Sequence, residues 1–163
     1  MTGLPSNFVD LKHLPNVRLD IRYATSNNFM GQVVRGYNAE MCWMHRDGFE
    51  MLRILATRLE FEGLGLWIWD AYRPKCATQH MVEWVRETNQ QWILEEGFVV
   101  EDSRHNRGGA IDLTLYDLAT QNVLDMGTDW DHFGSEGHWN GVSGSALDNR
   151  LKLRQAMISV GLI

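Results

Sequence analysis

Ser103-Arg-His-Asn-Arg-Gly-Gly-Ala-Ile-Asp112 constrains the fold of this chain more than any other segment. Its adjacent glycines, Gly108 and Gly109, permit a tight reversal of the backbone, and an alternating run follows at once. Across residues 110–116, Ile111, Leu113 and Leu115 fall on one side, and Ala110, Asp112 and Thr114 on the other. That is the pattern of a strand with one apolar and one polar face, entered from a glycine turn. His105 lies before the turn and Asp112 early in the strand, so a chain that doubles back can bring an imidazole and a carboxylate to one point. Both are good zinc ligands. The same spacing also suits a His–Asp hydrogen bond with no metal, the more economical reading of spacing alone, or two unrelated polar groups beside a turn.

The elements around this segment are legible from periodicity. Phe49, Leu52, Leu55, Ala56 and Leu59 share one face of a helix predicted over residues 47–60, with Asp47 as its cap and Gly63 as its stop. Residues 64–69 are apolar and aromatic between Gly63 and Asp70, the signature of a buried strand. Pro74 suits the first turn of a second helix reaching residue 87, with Ala77, Met81, Trp84 and Val85 inward. Residues 17–23 alternate like a strand, residues 25–37 read as a loop, and residues 146–160 read as a last helix carrying Leu147, Leu151, Met157 and Ile158. Helices flanking a few strands, without regular βαβ winding, predict an α+β fold. No repeat, low-complexity run or linker interrupts the chain, so residues 1–163 are expected to form a single domain.

A second polar cluster, Trp69-Asp-Ala-Tyr-Arg-Pro74, follows the buried strand directly. Arg73 there either faces a pocket, where it can clamp a carboxylate or a developing oxyanion, or pairs with Asp70 to pin the strand-to-helix turn. His13, His45 and His80 lie in separate segments and read as ordinary surface or core residues. His132 and His138 share a loop with Asp131 and Glu136 and are weak candidates for metal.

Composition excludes several partners. With 15 Lys and Arg against 21 Asp and Glu, the net charge of −6 argues against a nucleic-acid or anionic-membrane surface, both of which need a basic footprint. No apolar run approaches the ~20 residues that cross a bilayer, and the first ten residues do not read as a signal peptide, so a cytoplasmic location is expected. Cys42 and Cys76, the only cysteines, read as reduced thiols. Of the seven tryptophans, most are expected in the core and one or two in a pocket wall.

Taken in order along the chain, these segments resemble the VanX-type D-alanyl-D-alanine dipeptidases, zinc peptidases of family M15. Arg22-Tyr-Ala-Thr-Ser-Asn-Asn-Phe29 is similar to the family's R-Y-A-T-x-x-N-F, and Asp70-Ala-Tyr-Arg-Pro74 to its D-[AG]-Y-R-P. Residues 103–115 are similar to its zinc motif S-x-H-x-x-G-x-A-[IV]-D-L-T-L. Asp125-Met-Gly127 with Trp130-Asp131 is similar to its M-G-x-x-[FW]-D, and Asn149-Arg-Leu151 to the start of its last long helix. The resemblance implies a small central antiparallel sheet flanked by helices, the hedgehog/DD-peptidase-like fold. It further implies Zn2+ on His105 and Asp112, Arg73 stabilising the transition state, and Tyr23, Ser103 and Asp131 lining the dipeptide site, with Asp131 facing the substrate ammonium. The implied reaction is hydrolysis of the D-alanyl-D-alanine dipeptide in the metabolism of cell-wall (peptidoglycan) precursors or fragments. In the family a G-F turn then leads to E-W-W-H, whose Glu is the general base and whose His is the third zinc ligand. Here Gly161-Leu-Ile163 reaches the turn and the sequence stops. The expectation is therefore a C-terminally truncated member whose third ligand and base are missing, with His132 and His138 as weak replacements. The alternative is an inactive remnant that still binds dipeptide or metal. The unpaired sheet edge that this leaves makes a homo-oligomer conceivable.

Overall fold

A computed structural model describes residues 6–162. The chain runs β1 (Phe8–Asp10), β2 (Val17–Leu19), β3 (Trp43–His45), α1 (Arg46–Glu60), β4 (Leu64–Asp70), α2 (Lys75–Glu87), α3 (Trp92–Glu95), β5 (Asp112–Asp117) and α4 (Gly144–Ile158), with short 3-10 turns between. The α+β class is as expected. The central sheet has the order β2-β4-β5 and is mixed: β5 runs antiparallel to β4, but β2 runs parallel to it. A separate antiparallel pair joins β1 to β3. The small central antiparallel sheet implied by the resemblance is thus antiparallel in β4–β5 alone; a parallel partner about fifty residues away leaves no local trace in sequence.

The apolar face of α1 is buried as its spacing predicts: Phe49, Leu52, Leu55, Ala56 and Leu59 all point inward. Its cap is His45, whose ring accepts from the Asp47 N–H, so Asp47 lies inside the first turn. Leu66 and Ile68 of β4 and Leu115 of β5 are fully enclosed, each such side chain contributing roughly 1.5–3 kcal/mol. Ala77, Met81 and Val85 of α2 join this core, and Trp84 packs at its margin. Pro74 is the N-cap residue of α2. Of the strand expected over residues 17–23, Val17–Leu19 pairs, and Arg22–Ala24 forms a 3-10 turn.

Two expectations need correction. On α4 only Ala146 is buried, and Leu153, Ala156 and Met157 pack toward the core in place of Leu147, Leu151 and Ile158. No tryptophan reaches full burial; Trp92 and Trp139 are exposed and the other five partly buried, since so large a ring seldom leaves solvent completely. No helix among the described residues is long and apolar enough to cross a membrane. Cys42 and Cys76 carry no disulfide.

Candidate active site

Two irregularities in the backbone create the site. The register of β4 against β5 shifts between Ile68 and Asp70, so that Asp70, rather than Trp69, stands opposite Asp112. Bulges of this kind re-aim a side chain, and here they set two carboxylates side by side. Like charges facing each other across strands are unfavourable unless a cation lies between them, and Arg73 supplies it. Its Nε and Nη2 lie 2.9 Å from Asp70 Oδ2, and Nη2 lies 3.5 Å from Asp112 Oδ2.

The second irregularity is the turn carrying His105. Ser103 caps it by accepting from the His105 N–H, and Gly108 closes it in the left-handed region with φ 66°. A Cβ on Gly108 would also lie 2.5 Å from the Phe8 ring, so no other residue fits there. The turn is tied to the end of β4 twice: the Arg73 N–H donates to the His105 carbonyl at 3.0 Å, and His105 Nδ1 meets the Ala71 carbonyl at 2.7 Å. A carbonyl only accepts, so Nδ1 carries the proton. Nε2 is thereby directed at Asp112 Oδ1, 3.4 Å away.

The structure thus brings His105, Asp112 and Arg73 to one place. Ligand atoms of Asp70, His105 and Asp112 lie within 4.8 Å of one another, a grouping able to hold a metal ion. Within that group Asp70 is already engaged: Oδ1 accepts from the Tyr37 hydroxyl at 2.6 Å and Oδ2 from Arg73. The donors left for an ion are His105 Nε2 and the Asp112 carboxylate, and the backbone hydrogen bond on Nδ1 is the outer contact that usually orients a ligating histidine. These two donors, one imidazole nitrogen and one carboxylate, suit a divalent metal ion.

A cavity of about 200 Å³ opens beside these groups, lined on its polar side by Tyr23, Arg73, Ser103, His105, Asp112 and Asp131. Its other wall is aromatic, with Phe133 5.1 Å from Phe29 and 5.2 Å from Phe98 between ring centres. That volume is below the ~300–1,000 Å³ usual for small-molecule sites, so the site suits a small ligand. The Tyr23 hydroxyl donates to Asp131 Oδ2 at 2.9 Å, and the Arg73 guanidinium lies 5.1 Å over the Tyr23 ring.

Electrostatics sharpen the picture. Burial opposes the charge of His105, but its hydrogen bond to Asp112 outweighs that and moves the imidazole pKa up. Burial likewise works against Asp112, and the same bond brings its carboxyl below the ordinary range. For Arg73 burial is overcome by Asp70, which keeps the guanidinium firmly charged. Asp131 behaves differently: burial, only partly offset by the Tyr23 hydrogen bond, pushes its carboxyl up to about 7.

His132 and His138 do not join the group. His132 pairs with Glu136 at 3.5 Å on the surface, and His138 stacks on Phe98. Sequence reasoning weighed an Asp70–Arg73 pair against a pocket-facing arginine, and the structure shows both at once. It missed Tyr37 altogether, because a tyrosine in a loop carries no periodic signal.

An α+β frame holds a His–Asp pair beside a buried arginine and a small cavity, and the family match puts this frame among the peptidases. Residues 5–163 match the family described as D-ala-D-ala dipeptidase, Peptidase M15, and the chain belongs to that family. A D-alanyl-D-alanine dipeptidase of Enterococcus faecium is 34% identical over 160 residues, covering 89% of this chain and 79% of the relative. One from Escherichia coli is 34% identical over 161 residues, with 97% and 79% covered. One from Streptomyces coelicolor is 31% identical over 169 residues, with 94% and 83% covered.

Proposed function

We propose that this chain binds a zinc ion through His105 Nε2 and Asp112 and hydrolyses the D-alanyl-D-alanine dipeptide in cell-wall precursor or fragment metabolism. One observation carries the reading: His105, Asp112 and Arg73 converge on the wall of a single small cavity, at separations of 3.4 and 3.5 Å. Zinc held there supplies a Lewis acid for the scissile carbonyl and a water of lowered pKa. Arg73, fixed by Asp70, presents a permanent positive charge where the carbonyl oxygen becomes negative, a role whose loss typically costs about 10²–10³-fold in rate. Asp131 receives the substrate's ammonium group. Its carboxyl, raised to about 7 when the cavity holds no cation, ionises more readily as the ammonium arrives, so dipeptide affinity falls below neutral pH. Tyr23 orients Asp131 through its hydroxyl, and Ser103 lines the cavity while capping the His105 turn. The aromatic wall limits side chains on the dipeptide to small ones.

The net charge of −6 supports a small-molecule substrate rather than nucleic acid, and a cytoplasmic site of action is part of this proposal. The test is release of free D-alanine from D-Ala-D-Ala, followed with ninhydrin on protein loaded with zinc. Turnover that requires zinc is expected. Dipeptide binding without turnover would instead identify a binding protein descended from the enzyme, and absence of both would refute the proposal.

A further inference from the structure

Tyr37 is buried, titratable and without a part in the reaction just described, yet it touches both groups that hold Arg73. Its hydroxyl donates to Asp70 Oδ1 at 2.6 Å, and its ring lies 5.5 Å from that of Tyr23, over which the guanidinium rests. We infer that Tyr37 is a positioning residue for Arg73, acting through Asp70; the inference rests on the role given to Arg73 above.

The argument starts from the geometry of the ion pair. An arginine facing a carboxylate ordinarily forms two parallel bonds, one to each oxygen. Here Nε and Nη2 both meet Oδ2, while Oδ1 is occupied by Tyr37. The terminal torsion of an aspartate is broad, so its rotamer alone does not fix the plane of the carboxylate. The Tyr37 hydroxyl does fix it, withholding Oδ1 from the arginine and setting where the guanidinium stands relative to Asp112. Without that hydroxyl the carboxylate is free to turn and take the two-oxygen arrangement, carrying the guanidinium with it.

The loop delivering Tyr37 is shaped for this purpose. Gly36 has φ 95°, and a Cβ there would lie 2.7 Å from Cys76 Sγ and 3.2 Å from Pro74 Cβ. Only glycine lets the loop lie flat against Pro74, the neighbour of Arg73. The Val34 N–H then donates to the Tyr23 carbonyl and the Tyr37 N–H to the Val34 carbonyl. Burial moves the Tyr37 hydroxyl pKa well up, so it stays a donor at every working pH.

The test compares two readouts on the zinc-loaded full chain: KM for D-Ala-D-Ala in the ninhydrin assay, and affinity by isothermal titration for a phosphinate isostere of the dipeptide that mimics the tetrahedral state. Tyr37→Phe should keep stoichiometric zinc and hold KM for the dipeptide within about twofold of wild type, while affinity for the phosphinate drops about tenfold or more. In an Arg73→Lys background the same substitution should make little further difference, because its effect passes through Arg73. If the phenylalanine variant does not fold, Asp70→Asn, which keeps the shape of the carboxylate but weakens its hold on Arg73, serves instead and should likewise lower affinity for the phosphinate more than it raises KM for the dipeptide. Equal loss in both readouts, or no loss in either, would leave Tyr37 a merely structural residue and overturn the inference while sparing the proposed function. Failure of the wild type to bind the phosphinate would overturn both.

Discussion

The two sides of the site are held in different ways. His105, Asp112, Arg73 and Asp70 stand on the end of β4, the start of β5 and the turn bonded to them, backed by the enclosed side chains of α1 and α2. Asp131 arrives instead on a loop whose Trp130 and Phe133 pack on the rings of Tyr23 and Phe29, and whose preceding residues are held by polar contacts from α4. Arg150 Nε donates to the Met126 carbonyl at 2.7 Å, its Nη2 to Thr128 Oγ1 at 3.1 Å, and Asn149 Nδ2 to the Asp125 carbonyl at 2.9 Å. Only Ala146 of α4 is buried, and an apolar groove of about 380 Å³ runs along the helix beside Trp139. The proposed chemistry is thus mounted on the central sheet, and the proposed ammonium site on a loop that depends in part on polar contacts from a helix with little buried surface.

If that contrast is right, the largest loss of stability comes from the core side. Arg73→Ala leaves Asp70 buried without its cation, which should destabilise the protein by about 3–5 kcal/mol in urea unfolding; a loss below about 1 kcal/mol would break the comparison. Next comes Asp131→Asn in metal-free protein. Asp131 is raised in the folded state from 3.8 to about 7, so its contribution is fully present below pH 3.8 and lost as pH rises through 7. The asparagine variant does not ionise, so near pH 8 it should be more stable than wild type by up to about 4 kcal/mol, and no different near pH 4. A gain independent of pH would show that the carboxyl is not protonated in the fold.

Arg150→Ala tests the Asp131 side itself. Freed of these acceptors, the loop should cost about 1–2 kcal/mol of stability and raise KM for the dipeptide, with zinc content unchanged. Loss of zinc in this variant would mean that the two sides are not independent. The smallest effect belongs to Trp139→Ala, whose exposed ring meets Arg154 in a cation–π contact and should contribute less than about 1 kcal/mol.

This contrast also explains what could be read from sequence. The core side was legible because its elements are periodic: the buried face of α1, the apolar run of β4 and the alternation around Asp112 each repeat at a structural spacing. The glycine turn marked His105 for the same reason. On the other side Asp131 was legible only through the family resemblance, because α4 meets its loop through Arg150 and Asn149, and polar contacts between distant segments have no period. The β4 bulge that turns Asp70 toward Asp112, and the tyrosine that fixes it, depend on cross-strand register, which one strand's sequence does not contain.

The central claim is that His105 and Asp112 share one divalent cation. Elemental analysis of wild type and Asp112→Ala, each loaded with zinc and freed of excess by gel filtration, tests it directly. Stoichiometric zinc on the wild type and none on the variant is the predicted result; zinc retained in full by Asp112→Ala would contradict the account.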